Sequence, residues 1–262
     1  MLPMRNEVEV GKEMTKMLQF DSYTWKARVL PVFIVLLPVG IATALCLPSL
    51  LFAERLAGAL AGPFGLAMLL SQIGRDRGYR KQPTLWERWG GAPTTQLLRH
   101  RTPGSNPISL NRYHHKLRLL IPDLNIPSAE EEVRDPQQAD HVYAACVQFL
   151  ISQTRDRSRF PLLYKENVNY GFRRNLWGLK PFGLALSFLC LIAAILRFWF
   201  VWGTPAAVSG ELIASAALSL VLLLFWMLWV TPAWVRIPAA GYAERLLECC
   251  EQLEPARLNQ LS

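Results

Sequence analysis

One run of the sequence concentrates side chains that could do chemistry: residues 160–180, FPLLYKENVNYGFRRNLWGLK. Tyr170 and Phe172 offer flat rings, Arg173 and Arg174 two guanidinium forks, and Asn175 an amide beside them. A ring stacks on a base while guanidinium forks grip phosphates, so these five residues are the expected ligand-binding set, suited to a nucleotide or signalling dinucleotide. The same run also reads as an aromatic and basic anchor at a membrane surface. The residues alone leave both readings open.

Other reactive groups are less organised. His114 and His115 are neighbours, and adjacent residues on a helix point about 100° apart. Neither has a carboxylate three or four positions ahead, so no metal site is expected. Glu130, Glu131 and Glu132 read as a solvated first helical turn, where negative charge favours the helix dipole. No nucleophile elbow, P-loop or glycine-rich dinucleotide fingerprint occurs. No catalytic residue and no cofactor is expected, and the sequence points away from an enzyme.

The elements that must carry these residues are set by four apolar stretches, 29–52, 56–73, 181–202 and 212–230. Each is about long enough, at about 1.5 Å per residue, to cross a hydrocarbon core of about 30 Å. The expected fold is therefore an all-α integral membrane protein with four transmembrane helices, arranged as two hairpins around a helical cytosolic insert. Residues 1–28 form a cytosolic N-terminal segment, 29–74 the first hairpin, 75–180 the insert, 181–232 the second hairpin and 233–262 an amphipathic tail.

Charge orients the bundle. The chain has 28 Lys and Arg residues and a formal charge of +8, and 18 of the 28 lie in residues 75–180 against 10 acids. Basic loops stay in the cytosol, which places the insert and both termini there. The first stretch is longer than a signal-peptide core and contains Pro31, Pro38 and Pro48, so it is read as retained. Five cysteines without ligand spacing fit thiols kept reduced or buried in lipid.

Within the spans, Gly58, Gly62 and Gly65 recur at spacings of three and four, the pattern that lets membrane helices approach closely. They serve packing within the hairpin or an oligomer interface. No span carries a mid-membrane carboxylate or histidine, which argues against an ion-coupled transporter. Arg197 is expected to snorkel to the outer interface. The fourth span, with Trp226 and Trp229, is expected to face lipid.

The insert shows several helix starts. Thr84 and Glu87 read as a capping box for a short turn holding Trp86 and Trp89, stopped by Gly90 and Gly91. With Arg75, Arg77, Arg80 and Lys81, these tryptophans form the expected membrane-interface set, touching anionic headgroups. Asn106 before Pro107, Ser128 with Glu131, and Asp135 before Pro136 mark three further starts. The insert has few large apolar residues of its own. The tail, with Tyr242, Leu246, Leu247, Cys250 and Leu253 on one face, is expected to pack on it or on another subunit.

The segments Asp76-Arg77-Gly78, Leu85-Trp86-Glu87-Arg88-Trp89-Gly90-Gly91, Pro93-Thr94-Thr95, Leu98-Arg99-His100-Arg101 and Glu166 through Asn175 give the chain a resemblance to a family of uncharacterised four-span bacterial membrane proteins. That resemblance implies an inner-membrane setting and no activity. The plan of paired hairpins around a cytosolic module is more loosely similar to membrane effectors of anti-phage systems. The resulting expectation is a homo-oligomeric effector or channel-like protein that senses a ligand or partner and alters membrane permeability, possible in phage defence. The alternative is a non-catalytic membrane scaffold recruiting a soluble cytosolic partner. Anionic headgroups, rather than nucleic acid, are the expected target of the basic surface.

Overall fold

The computed structural model describes residues 23–46, 53–201 and 210–255, with side chains from 23–44, 65–200 and 210–255. Among these residues every regular element is helical. In chain order they are a π-helical turn, π1 (Thr24–Val29), then α1 (Leu30–Cys46), α2 (Ala53–Arg88), α3 (Pro93–Gln96), α4 (Pro107–Leu120), α5 (Ala129–Arg134) and α6 (Pro136–Gln153). There follow α7 (Pro161–Val201), α8 (Gly210–Leu224), a second π-helical turn, π2 (Phe225–Trp229), and α9 (Pro232–Gln252).

Among the described residues three stretches are long and apolar enough to cross a membrane: Thr24–Ala44, Pro161–Phe200 and Gly210–Trp229. The structure is thus that expected of an all-helical membrane protein. Of the second expected span, residues 56–73, only the side chains from Gly65 onward are described; the contacts of Gly58 and Gly62 lie outside the described residues.

The chain divides into two units. One comprises Met1–Tyr79 with Gly171–Thr231, the other Arg80–Tyr170 with Pro232–Ser262. In the first, which we call the apolar unit, α1 packs along α8. Val32, Val35, Leu212, Ser215 and Ser219 are buried there, while Phe188, Ile195, Val221 and Leu228 face outward. An apolar exterior over a partly polar interior is the pattern of a helix bundle solvated by lipid.

The second, helical unit has a hydrophobic core of its own. Leu98, Leu117, Tyr143, Cys146, Leu150 and Leu163 meet Leu246, Leu247, Cys250 and Leu253 of the tail. The amphipathic tail face completes this core, and α9 packs on α3, α4 and α6. Burying each such leucine contributes about 1.5–3 kcal/mol. The helix starts are built as the sequence implies. Asn106 accepts from the Ile108 amide at 2.9 Å, Asp135 from the Gln138 amide at 3.0 Å, and Ser128 with Glu131 forms a reciprocal capping box.

Three expectations need correction. Thr84 and Glu87 do not start a separate turn, because α2 runs without a break to Arg88 and ends at Gly90, whose φ of 83° suits a glycine C-cap. Trp226 does not face lipid; it is fully buried, while Trp229 is exposed. Glu132 is not a solvated residue of the first turn but is 0% exposed, although Glu130 and Glu131 are exposed.

Candidate functional site

The run expected to bind a ligand lies on α7, and its members are used differently. Tyr170 belongs to the helical unit and Phe172 to Asn175 to the apolar unit. Tyr170, Phe172 and Arg173 are half-buried, whereas Arg174 is 4% and Asn175 1% exposed. The Arg174 guanidinium lies 3.8 Å from the centre of the Tyr79 ring, and Arg75 approaches the same ring at 5.9 Å. Such cation–π contacts are strongest where water is excluded. The Asn175 side-chain amide donates to the Ala27 carbonyl at 2.8 Å, and Arg174 Nη2 reaches Asn175 Oδ1 at 3.5 Å.

Ala27 sits in π1, where five-residue spacing disturbs the ordinary helical ladder. The other π turn is held from the same helix: Lys180 Nζ donates to Val230 O at 2.9 Å and Met227 O at 3.3 Å. In lipid a carbonyl without a donor costs several kcal/mol, so these two α7 side chains stabilise the irregular ends of neighbouring helices.

Close helix approach occurs where α2 and α7 meet. A Cβ on Gly178 would lie 2.7 Å from both Gly74 O and Gly78 N, and one on Gly78 would lie 3.1 Å from Arg174 O. One on Gly74 would strike the Leu179 side chain at 2.8 Å. Gly74 and Gly78 form a G-x-x-x-G pair that sequence reasoning missed, because Arg75, Asp76 and Arg77 between them read as loop. Among the described residues nothing lies within 4 Å of where a Gly65 Cβ would be.

Of the membrane-interface set, Arg77 and Arg80 are exposed and Arg75, Lys81, Trp86 and Trp89 half-buried. Arg77 lies 5.1 Å over the Phe182 ring.

The helical unit contains the densest polar cluster, centred on Glu132. Its carboxylate accepts from the Tyr143 hydroxyl at 2.7 Å, the His100 amide at 2.8 Å, the Arg101 amide at 3.1 Å and Arg101 Nη1 at 2.8 Å. Asp140 is gripped by two arginines, Arg99 through Nε and Nη2 at 2.7 Å each and Arg101 through Nη2 at 2.8 Å. Arg99 Nη1 also donates to Gly90 O at 2.6 Å, and Gln96 donates to Trp89 O at 2.8 Å and Gly91 O at 2.7 Å. A Cβ on Gly91 would meet the Arg99 guanidinium at 2.5 Å, and φ there is 130°, so only glycine fits.

These partners set the protonation states. Burial alone would raise the Glu132 pKa, but the Tyr143 hydroxyl, the two amides and Arg101 together hold it below the ordinary value. Burial and the Glu132 charge push the Tyr143 phenol up. His114 Nε2 lies 2.8 Å from Leu98 O and therefore carries the proton. The ring stacks on Tyr143 at 5.7 Å and meets His100 edge-on at 4.9 Å, and burial lowers its pKa to about 4. The cluster thus holds a fixed anion, a protonated phenol and a neutral imidazole. It locks residues 89–102 to α5 and α6, and among the described residues no three His, Cys, Asp or Glu side chains group as a metal site.

In comparisons with known proteins, no family model, no curated protein and no solved structure matches this chain.

Proposed function

We propose that this chain is a non-catalytic, multi-pass membrane anchor that presents its helical unit to a soluble partner. The carrying observation is the shared core: Leu246, Leu247 and Leu253 pack with Leu98, Leu117 and Leu163 in one hydrophobic cluster. Segments that share a core lie on one side of a membrane, so the chain crosses an even number of times between Leu163 and Leu246. That supports α7 and α8 as a hairpin and, with α2 pairing α1, the four-span, two-hairpin plan of a bacterial inner-membrane protein with cytosolic termini.

The module so held has a core, a capped set of helices and a charge cluster whose groups are consumed internally. Its outward apolar side chains, Ile108 at 78% and Val133 at 75% exposure, are the first candidates for partner contact. Affinity purification of the full chain from its host membrane tests the reading. A stoichiometric soluble partner, lost with Ile108→Asp or Val133→Asp, is expected. A homo-oligomer with no second protein that makes liposomes leak would refute it.

The second reading, an oligomeric effector of phage defence that changes permeability on sensing a ligand, is favoured by one feature. Ser187, Ser215 and Ser219 put hydroxyls inside the apolar unit. In this reading Phe172 and Arg173 of the apolar unit remain ligand contacts, and conductance that responds to a nucleotide is the supporting result.

A further inference from the structure

Three polar atoms inside the apolar unit are buried without a hydrogen-bond partner: Ser187 Oγ, Ser219 Oγ and the Trp226 indole Nε1. Their residues are 0%, 1% and 0% exposed. Serine hydroxyls in a helix ordinarily bond back to a carbonyl one turn earlier. Here neither does, and an indole N–H is a donor that buried tryptophans almost always satisfy.

The helices bring the three atoms to one seam. Lys180 of α7 bonds Val230 O, and the Trp226 ring lies directly on Gly183, where a Cβ would overlap it. Residue numbers rise along α7 as they fall along α8, so the two helices are antiparallel. Leu191, Ala194 and Phe198 on α7 accordingly share a groove with Leu212, Ala216 and Leu220 on α8. From the Gly183–Trp226 contact, Ser187 is one turn along α7, about 6 Å, and Ser219 seven residues back along α8, about 10 Å. Ser187 repeats the face of Gly183, and Ser219 that of Trp226. Along the bundle axis the indole, Ser187 and Ser219 therefore follow one another at about 0, 6 and 10 Å, steps longer than a direct hydrogen bond and a span longer than a single water covers, so the seam takes more than one water.

We propose that Ser187, Ser219 and Trp226 form a water-binding seam in the interior of the apolar unit. The ligand is water because the groups comprise one obligate donor and two hydroxyls that donate and accept, all uncharged. A buried water makes about three hydrogen bonds to such groups. The proposal is independent of partner recruitment and of conductance, since an internal water can be structural.

The test uses the full chain in nanodiscs with 15N-labelled tryptophan, the Trp226 indole signal being assigned by Trp226→Phe. A water cross-peak to that indole, lost in the Ser187→Ala, Ser219→Ala double variant, is the expected result. No cross-peak in the native chain, or one unchanged in the double variant, overturns the proposal. Thermal unfolding gives a reading that does not need the assignment. If the hydroxyls hold water, the double variant strands it and Tm falls by a few degrees. If they are merely unsatisfied, removing them relieves a desolvation cost, Tm stays level or rises, and the seam is refuted.

Discussion

Tyr143 donates its hydroxyl proton to Glu132 at 2.7 Å, joining α6 to a carboxylate that has no exposed surface. Tyr143 also stacks on His114, so one aromatic ring fixes both an anion and a neutral imidazole. Removing Glu132 strands the Tyr143 hydroxyl and the His100 and Arg101 amides, while the partly exposed Arg101 keeps Asp140. Each buried donor left without its acceptor costs about 1–3 kcal/mol. Glu132→Ala is therefore expected to unfold the helical unit at lower denaturant, with Tyr143→Phe costing about 1–2 kcal/mol. A double-mutant cycle on denaturation midpoints checks that the two are coupled.

Stability is expected to depend on pH through His114. Its folded pKa of about 4 lies below the ordinary 6.5, so between these values the unfolded chain binds more protons. Stability from the neutral imidazole is complete above about pH 6.5 and falls as pH drops toward 4, by up to about 1.4 kcal/mol per pH unit. Glu132 acts in the same direction lower down. Its depressed carboxyl contributes above the ordinary carboxylate range, and that contribution disappears as pH falls through its folded pKa. Denaturation curves from pH 7 to 4 measure the slope, which should flatten between 6.5 and 4 in His114→Gln.

At the α2–α7 contact, Gly178→Ala is expected to be severe because the new methyl meets backbone atoms at 2.7 Å. Overpacking of this kind costs about 1–3 kcal/mol or more. Gly65→Ala, whose methyl meets no described atom within 4 Å, serves as the control. Size-exclusion profiles and melting of the detergent-solubilised variants should separate the two.

The tail is expected to be structural. Leu247, 1% exposed, should cost about 2–5 kcal/mol as Leu247→Ala. Hydrogen exchange in α4 and α6 should rise in that variant, and remain native if the tail merely rests on the surface.

Much of this architecture was legible in the sequence. Asn106, Ser128 and Asp135 announce their helices because capping is a local hydrogen bond between residues two or three apart. The apolar tail face of Leu246, Leu247 and Leu253 was legible from spacing alone. What could not be read depends on distant partners. Glu132 shares a run of three glutamates with exposed neighbours, and only the return of residues 100–101 and of α6 distinguishes it. Arg174 and Asn175 looked available because the chain gives no sign that Tyr79 and Ala27 would come beside them. Gly74 and Gly78 were masked by the charges between them.

The shared core also imposes an order on biosynthesis. Leu98, Leu117 and Leu163 emerge from the ribosome well before Leu246 and Leu253, with α7 and α8 made in between. Until the last helix is released, the first segment lacks the tail's share of its core, so a nascent chain carries that part of the core uncovered while α7 and α8 are being made. The core therefore closes in full only once α9 has joined it, and a chain stalled or cut before α9 leaves that side of the core open.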